Sequence, residues 1–104
     1  MNSKQRAYLM SLAQTLDSQF QMGKERLTPE FTAAVDEALQ ARELIKIHVL
    51  NNCIEDPKEV AHVLAERTHA QVVQVIGRRI VLYREAAPDR KKIYLPGQKK
   101  PEKR

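Results

Sequence analysis

One cysteine, no tryptophan, three glycines and two phenylalanines leave several classes of function without material in this 104-residue chain. A lone Cys53 closes no intrachain disulfide, which suits a reducing compartment and leads to the expectation of a cytoplasmic protein. No apolar run approaches the ~20 residues that cross a bilayer. The start, Met-Asn-Ser-Lys-Gln-Arg, leads into a helical pattern with no signal-peptide core, so no membrane partner is expected. There is no glycine-rich nucleotide fingerprint, hence no expected cofactor. Phe20, Phe31 and Tyr83 are assigned to the core, which leaves no interleaved aromatic platform of the kind that binds single-stranded nucleic acid.

Catalytic constellations are missing as well. His48, His62 and His69 lack metal-ligand spacing, and His48 with Cys53 supplies only two of the ligands a zinc site needs. Glu55 and Asp56 beside Cys53 disfavour a thiolate, and they read better as loop and helix cap than as an acid–base pair. Neither an enzyme nor a small-molecule substrate is expected.

What the chain has is positive charge, unevenly placed. Residues 1–83 hold ten Lys/Arg and ten Asp/Glu, whereas residues 84–104 hold eight against three, so the whole net +5 lies at the C-terminal end. A neutral body with a basic tail points to an anionic partner such as nucleic acid or a ribosomal surface; a solubility tail is the plainer alternative.

The hydrophobic pattern gives the order α-β-α-β-α-β-β. Ser3 is the expected cap of a first helix with Leu9, Leu12, Ala13 and Leu16 on one stripe. A short strand follows over Gln19–Met22, then a loop at Gly23. Thr28-Pro29 opens a second helix to about Arg42, burying Phe31, Val35, Ala38 and Leu39. Leu44–Leu50 alternates with period two, sending Ile45, Ile47 and Val49 to one face and Lys46 and His48 to a wetter one. Asp56-Pro57-Lys58-Glu59 reads as a capping box for a third helix presenting Val60, Val63 and Leu64. Gln71–Ile76, a Gly77-Arg78 turn and Arg79–Tyr83 form a hairpin. The expected fold is a single α/β domain, residues 1–84, with a mixed four-stranded sheet packed with helices. Beyond Arg84 periodicity stops, and residues 85–104 read as a basic, flexible tail.

Within this frame, residues 20–31 stand out. An apolar run ends at Gly23, Lys24 and Arg26 follow, and a helix begins. The N–H groups of a helix's first turn can accept an anion, and the dipole there disfavours cations by roughly 0.3–1 kcal/mol each, so a phosphate would use both. Lys4/Arg6 and Arg78/Arg79 are two further cation pairs. Should the pairs share a face, they form with Lys46 a patch that tracks a nucleic-acid backbone; each taken singly also fits a solvated surface.

The strings Glu43-Leu44-Ile45-Lys46 and Val73-Gln74-Val75-Ile76-Gly77-Arg78 with Val81-Leu82-Tyr83-Arg84 resemble the YhbY family. Its members are bacterial stand-alone versions of the CRM (chloroplast RNA splicing and ribosome maturation) RNA-binding domain. The likeness runs from Lys4-Gln5-Arg6 to Arg90-Lys91-Lys92-Ile93-Tyr94-Leu95-Pro96. It implies a fold similar to the C-terminal domain of bacterial translation initiation factor three, binding of structured ribosomal RNA and association with precursors of the large (50S) ribosomal subunit. The family's RNA-contact loop is a Gly-x-x-Gly turn, which maps to Gly23-Lys24-Glu25-Arg26 with Arg26 at the second glycine. That change impairs close backbone approach at 26 but adds a fork that can grip phosphate, while Glu25 adds a repulsive charge. The expected RNA-binding set is thus Gly23, Lys24, Arg26, Lys4, Arg6, Lys46, Arg78 and Arg79. The alternative from another class is a protein-interaction adaptor that docks on ribosomal proteins without reading RNA, motivated by the lost glycine and the neutral body.

Overall fold

The computed structural model describes residues 1–24 and 27–98. Its elements are α1 (Ser3–Gln14), β1 (Phe20–Met22), α2 (Pro29–Arg42), β2 (Leu44–Val49), α3 (Pro57–Thr68), β3 (Gln71–Ile76) and β4 (Arg79–Tyr83). The expected element order and mixed four-stranded sheet are both present. The strands lie in the order β1-β2-β4-β3, with β1 parallel to β2 and β4 antiparallel to both of its neighbours.

Local chemistry sets the helix starts. Thr28 caps α2 by accepting the Phe31 N–H at 3.1 Å, with Pro29 in the first turn where its missing N–H costs nothing. Asp56 caps α3 through the Lys58 N–H at 3.3 Å. The first helix corrects the sequence reading: its cap is Asn2, not Ser3. Asn2 accepts the Gln5 N–H at 2.8 Å while the Gln5 side chain accepts the Asn2 N–H at 3.2 Å. An amide and a hydroxyl in adjacent positions both make good caps, and the reciprocal Gln5 bond favours Asn2.

Period-two alternation places residues on both sides of the sheet. Ile45, Ile47, Val49, Ile80 and Leu82 face α2 and α3, where they pack with Val35, Leu39, Val60 and Leu64. Leu44, Val81, Tyr83 and Val73 face α1, where they pack with Leu9, Ala13 and Leu95. Each fully buried aliphatic side chain contributes about 1.5–3 kcal/mol, so the α2/α3 side holds the larger share of the core.

Leu95 marks the main departure from expectation. It is 6% exposed, and Ile93 packs beside it, so residues 85–98 lie along the domain although they form no helix or strand. The boundary expected after Arg84 is therefore not a break in packing. The anchor is Glu43, in the single-residue link between α2 and β2. Its φ of 67° is unusual for a side-chain-bearing residue, and it is 1% exposed. Its carboxylate accepts the backbone N–H groups of Lys92 at 2.7 Å, Ile93 at 3.0 Å and Ala86 at 3.4 Å. Lys91 reaches Glu85 at 3.0 Å and sits 5.5 Å over the Tyr94 ring. Burial pushes the Tyr83 phenol above its ordinary range, with Lys91 pulling the other way. For Lys91 burial lowers the ammonium, but Glu85 and Tyr83 outweigh it and raise it overall.

Candidate nucleic-acid interface

One end of the sheet gathers the residues of interest. There β1 and β2 finish, the β3–β4 turn closes, and α2 begins. Backbone bonds join these parts: the Leu50 N–H donates to the Met22 carbonyl at 2.8 Å and the Val49 N–H to the Arg78 carbonyl at 2.7 Å. Gly23 follows Met22 directly, and Lys24 after it is exposed. Arg26 and Glu25 lie outside the described residues.

The start of α2 is a weaker anion site than its sequence suggests. Pro29 has no N–H, and that of Phe31 is held by Thr28. The Thr32 N–H goes to the Thr28 carbonyl at 3.0 Å, so Glu30, itself acidic, carries the remaining first-turn donor. Any anion here depends on the Gly23–Lys24 backbone and on side chains. Gly23 has an ordinary φ, and a Cβ there would meet Asn52 Oδ1 at 3.4 Å and Leu50 Cδ1 at 3.6 Å, which are normal contacts. The fold itself does not require glycine at this position.

The cations divide into two groups. Arg79 is exposed at the start of β4. Its neighbour Arg78 is half-buried, and its guanidinium donates to the carbonyls of Val49 at 2.9 Å, Leu50 at 2.8 Å and Cys53 at 3.2 Å, which ties down the β2–α3 loop. Lys46 Nζ donates to the Leu16 carbonyl at 2.9 Å, closing the segment after α1 onto β2. Arg6 Nη1 donates to the carbonyls of Val72 at 2.8 Å and Val73 at 2.7 Å, beside an irregularity in β3 on the outer edge of the sheet. Lys4 is exposed on the first turn of α1.

Among the described residues, the cations of the three pairs therefore do not gather in one patch. Val72 lies four residues along β3 from Ile76, about 13 Å at strand spacing, so Arg6 and Lys4 are remote from the end that holds Lys24 and Arg79. Arg78, Lys46 and Arg6 have work inside the fold that their charge alone did not reveal. Backbone carbonyls at chain crossings occupy the same N–H donors that a phosphate would use.

Register brings out residues that sequence reasoning missed. Gln21 pairs with His48, His48 with Arg79 and Arg79 with Ile76, a row across all four strands on the α1 face. Beyond the last turn of α1, Gln21 and Arg79 are exposed, Ile76 is 62% exposed and His48 is half-buried. Strand parity put Lys46 and His48 on this face, but the neighbours of His48 depend on strand order, which no local signal carries. Among the described residues no group of three or more His, Cys, Asp or Glu side chains is placed to hold a metal ion.

Residues 1–84 match the family model described as the CRS1 / YhbY (CRM) domain. The chain belongs to this family. A relative from Bacillus subtilis (strain 168), named as the probable RNA-binding protein YqeI, is 44% identical over 92% of this chain and 99% of its own length. A protein of Haemophilus influenzae named "RNA-binding protein" is 33% identical over 92% of this chain and 95% of its own. Among solved structures, the solution structure of SAV1595 from Staphylococcus aureus, described as an RNA-binding candidate, superposes with a TM-score of 0.76 at 46% identity. It covers 92% of this chain and 99% of that one. For this CRM domain the family model ends at Arg84, while both relatives and the solved structure extend over 92% of the chain.

Proposed function

We propose that this chain is a non-enzymatic, cytoplasmic RNA-binding protein that associates with structured ribosomal RNA and acts in assembly of the large ribosomal subunit. The observation that carries the reading is the common sheet end shared by Gly23, exposed Lys24 and exposed Arg79. The names of the relatives support RNA as the polyanion. Lys24 and Arg79 would meet phosphates some two strand spacings apart, about 10 Å. Arg26 would add a bidentate grip from the same loop. Cations fixed to a rigid sheet end register a folded backbone, whereas the basic C-terminal residues add attraction without preference.

The test is a salt titration of binding to ribosomal RNA fragments. Each lost phosphate contact should lower the slope of log affinity against log salt by about 0.7–0.9. The double variant Lys24→Ala/Arg79→Ala should therefore flatten the slope by about 1.4–1.8 and weaken binding. An unchanged slope would remove this end of the sheet from the mechanism. Crosslinks in growing cells to large-subunit RNA support the assembly role; crosslinks spread over unrelated RNAs count against it.

A further inference from the structure

The second layer of the fold leaves an opening. On the α1 side, helix and C-terminal segment cover Leu44, Val73 and Tyr83, while α1 ends at Gln14 and the strands run on toward Arg79 and Ile76. A groove of about 200 Å³ remains between the last turns of α1 and the sheet. We infer that this groove is a subsite for one unpaired nucleobase of the bound RNA. The inference rests on the RNA reading above and deepens it.

The lining matches a base in three respects. The floor is apolar, formed by Val81 and Ala13, and Met10 and Ile76 form aliphatic walls, surfaces against which a flat heterocycle packs by its faces. Gln14 of α1 and Gln74 of β3 both line it, and each amide both donates and accepts, as the edge of a base demands. Arg79 stands at the mouth, and Lys46 keeps two of its three N–H donors beyond the one given to Leu16, so phosphates flanking the base find cations. An aliphatic side chain of a protein partner would leave both amides and both cations without a role.

Size selects further. The groove is smaller than the ~300–1,000 Å³ of sites for drug-sized ligands. A single base fits, and a base pair does not. A base already free of a partner enters at least cost, so the groove favours bulges and loops over duplex. Its mouth lies on the Gln21–His48–Arg79–Ile76 row, which continues to the Gly23–Lys24 loop, so one strand of RNA can reach both places.

Two hairpin RNAs, identical except for one bulged nucleotide, test this with the full chain over a series of salt concentrations. The wild type should bind the bulged form more tightly by about tenfold, the scale of one base contact. Gln14→Ala/Gln74→Ala should bring the two affinities together and leave duplex affinity and salt slope unchanged. Lys24→Ala should weaken both RNAs alike, which separates the backbone contact from the base contact. Equal wild-type affinity for the two hairpins, or equal loss on both in the glutamine variant, overturns the subsite while leaving RNA binding intact. Binding of neither hairpin overturns the RNA reading and the subsite together. Independently of any variant, magnetisation transfer from the bulged base to the Ala13, Val81 and Ile76 methyls supports the subsite. Perturbation of those methyls only by raising the protein concentration, without RNA, assigns the groove to a second copy of the chain and overturns it.

Discussion

The carboxylate of Glu43 accepts the backbone N–H of Lys92 at 2.7 Å, across 49 positions of sequence. The same oxygen takes the Ile93 N–H, and the other takes that of Ala86, so a single buried side chain meets three backbone donors of the C-terminal segment. Its backbone, at φ 67°, turns α2 into β2 in one residue. A conformation of this kind costs about 1–3 kcal/mol and persists only where its surroundings compensate. Glu43→Ala should destabilise the protein by about 1–3 kcal/mol in chemical denaturation, because three partly buried backbone N–H groups lose their acceptor. Amide exchange at Lys92 and Ile93 should quicken with it. Unchanged exchange at both would show that the segment is held without the Glu43 carboxylate.

Adjacent arginines should behave in opposite ways. Arg78→Lys removes a planar fork that serves three carbonyls, and an ammonium on a flexible stem cannot reproduce that geometry. A loss of about 2–4 kcal/mol is expected from the unmet carbonyls. Arg79→Ala, on an exposed residue, should leave stability within about 0.5 kcal/mol and lower RNA affinity instead. Thermal melts and a binding titration on the two variants separate these roles. Similar melting shifts in both would refute the division.

This contrast also shows which features the sequence made legible. Thr28-Pro29, the alternation from Leu44 and the Gly77-Arg78 turn are local signals, and they placed α2, β2 and the hairpin with little error. Gly23 and Lys24 stand out in the sequence as candidates because a strand end and a helix start flank them. Arg6, Lys46 and Arg78 could not be sorted from Arg79, since their partners are the carbonyls of Val72, Leu16 and Val49, made adjacent only by tertiary folding. The packed C-terminal segment escaped notice for a related reason. Residues 85–98 have no period to read, and what orders them includes the distant Glu43 carboxylate, the Gln5 amide that donates to the Pro96 carbonyl, and the apolar side chains of Ile93 and Leu95.

Alkaline pH should loosen the same region. The folded-state values of Tyr83 and Lys91 are both raised. A raised folded value means that the group's contribution is complete below its unfolded value and fades as pH rises through the folded one. With ordinary values of 10.0 and 10.5, stability should hold to about pH 9 and decline above pH 10. Tyr83→Phe should remove part of that decline and cost little at neutral pH, because among the described residues the buried hydroxyl has no hydrogen-bond partner. Denaturation midpoints between pH 7 and 11 give the comparison. An equal alkaline decline in the variant would assign it to other groups.

Gly23 offers the sharpest separation of folding from binding. Glycine is indispensable where φ is positive or a Cβ would collide, and neither holds here: φ is ordinary and the first atom met is Asn52 Oδ1 at 3.4 Å. Alanine should then be tolerated, or even stabilise by about 0.4–1 kcal/mol through the lower entropy of the unfolded chain. Binding is a different matter, since a methyl group at this position would keep a phosphate from the Gly23 and Lys24 backbone. Gly23→Ala should therefore melt no earlier than the wild type while losing affinity for ribosomal RNA. Loss of both would place the need for glycine inside the fold, and loss of neither would leave the loop backbone out of the contact.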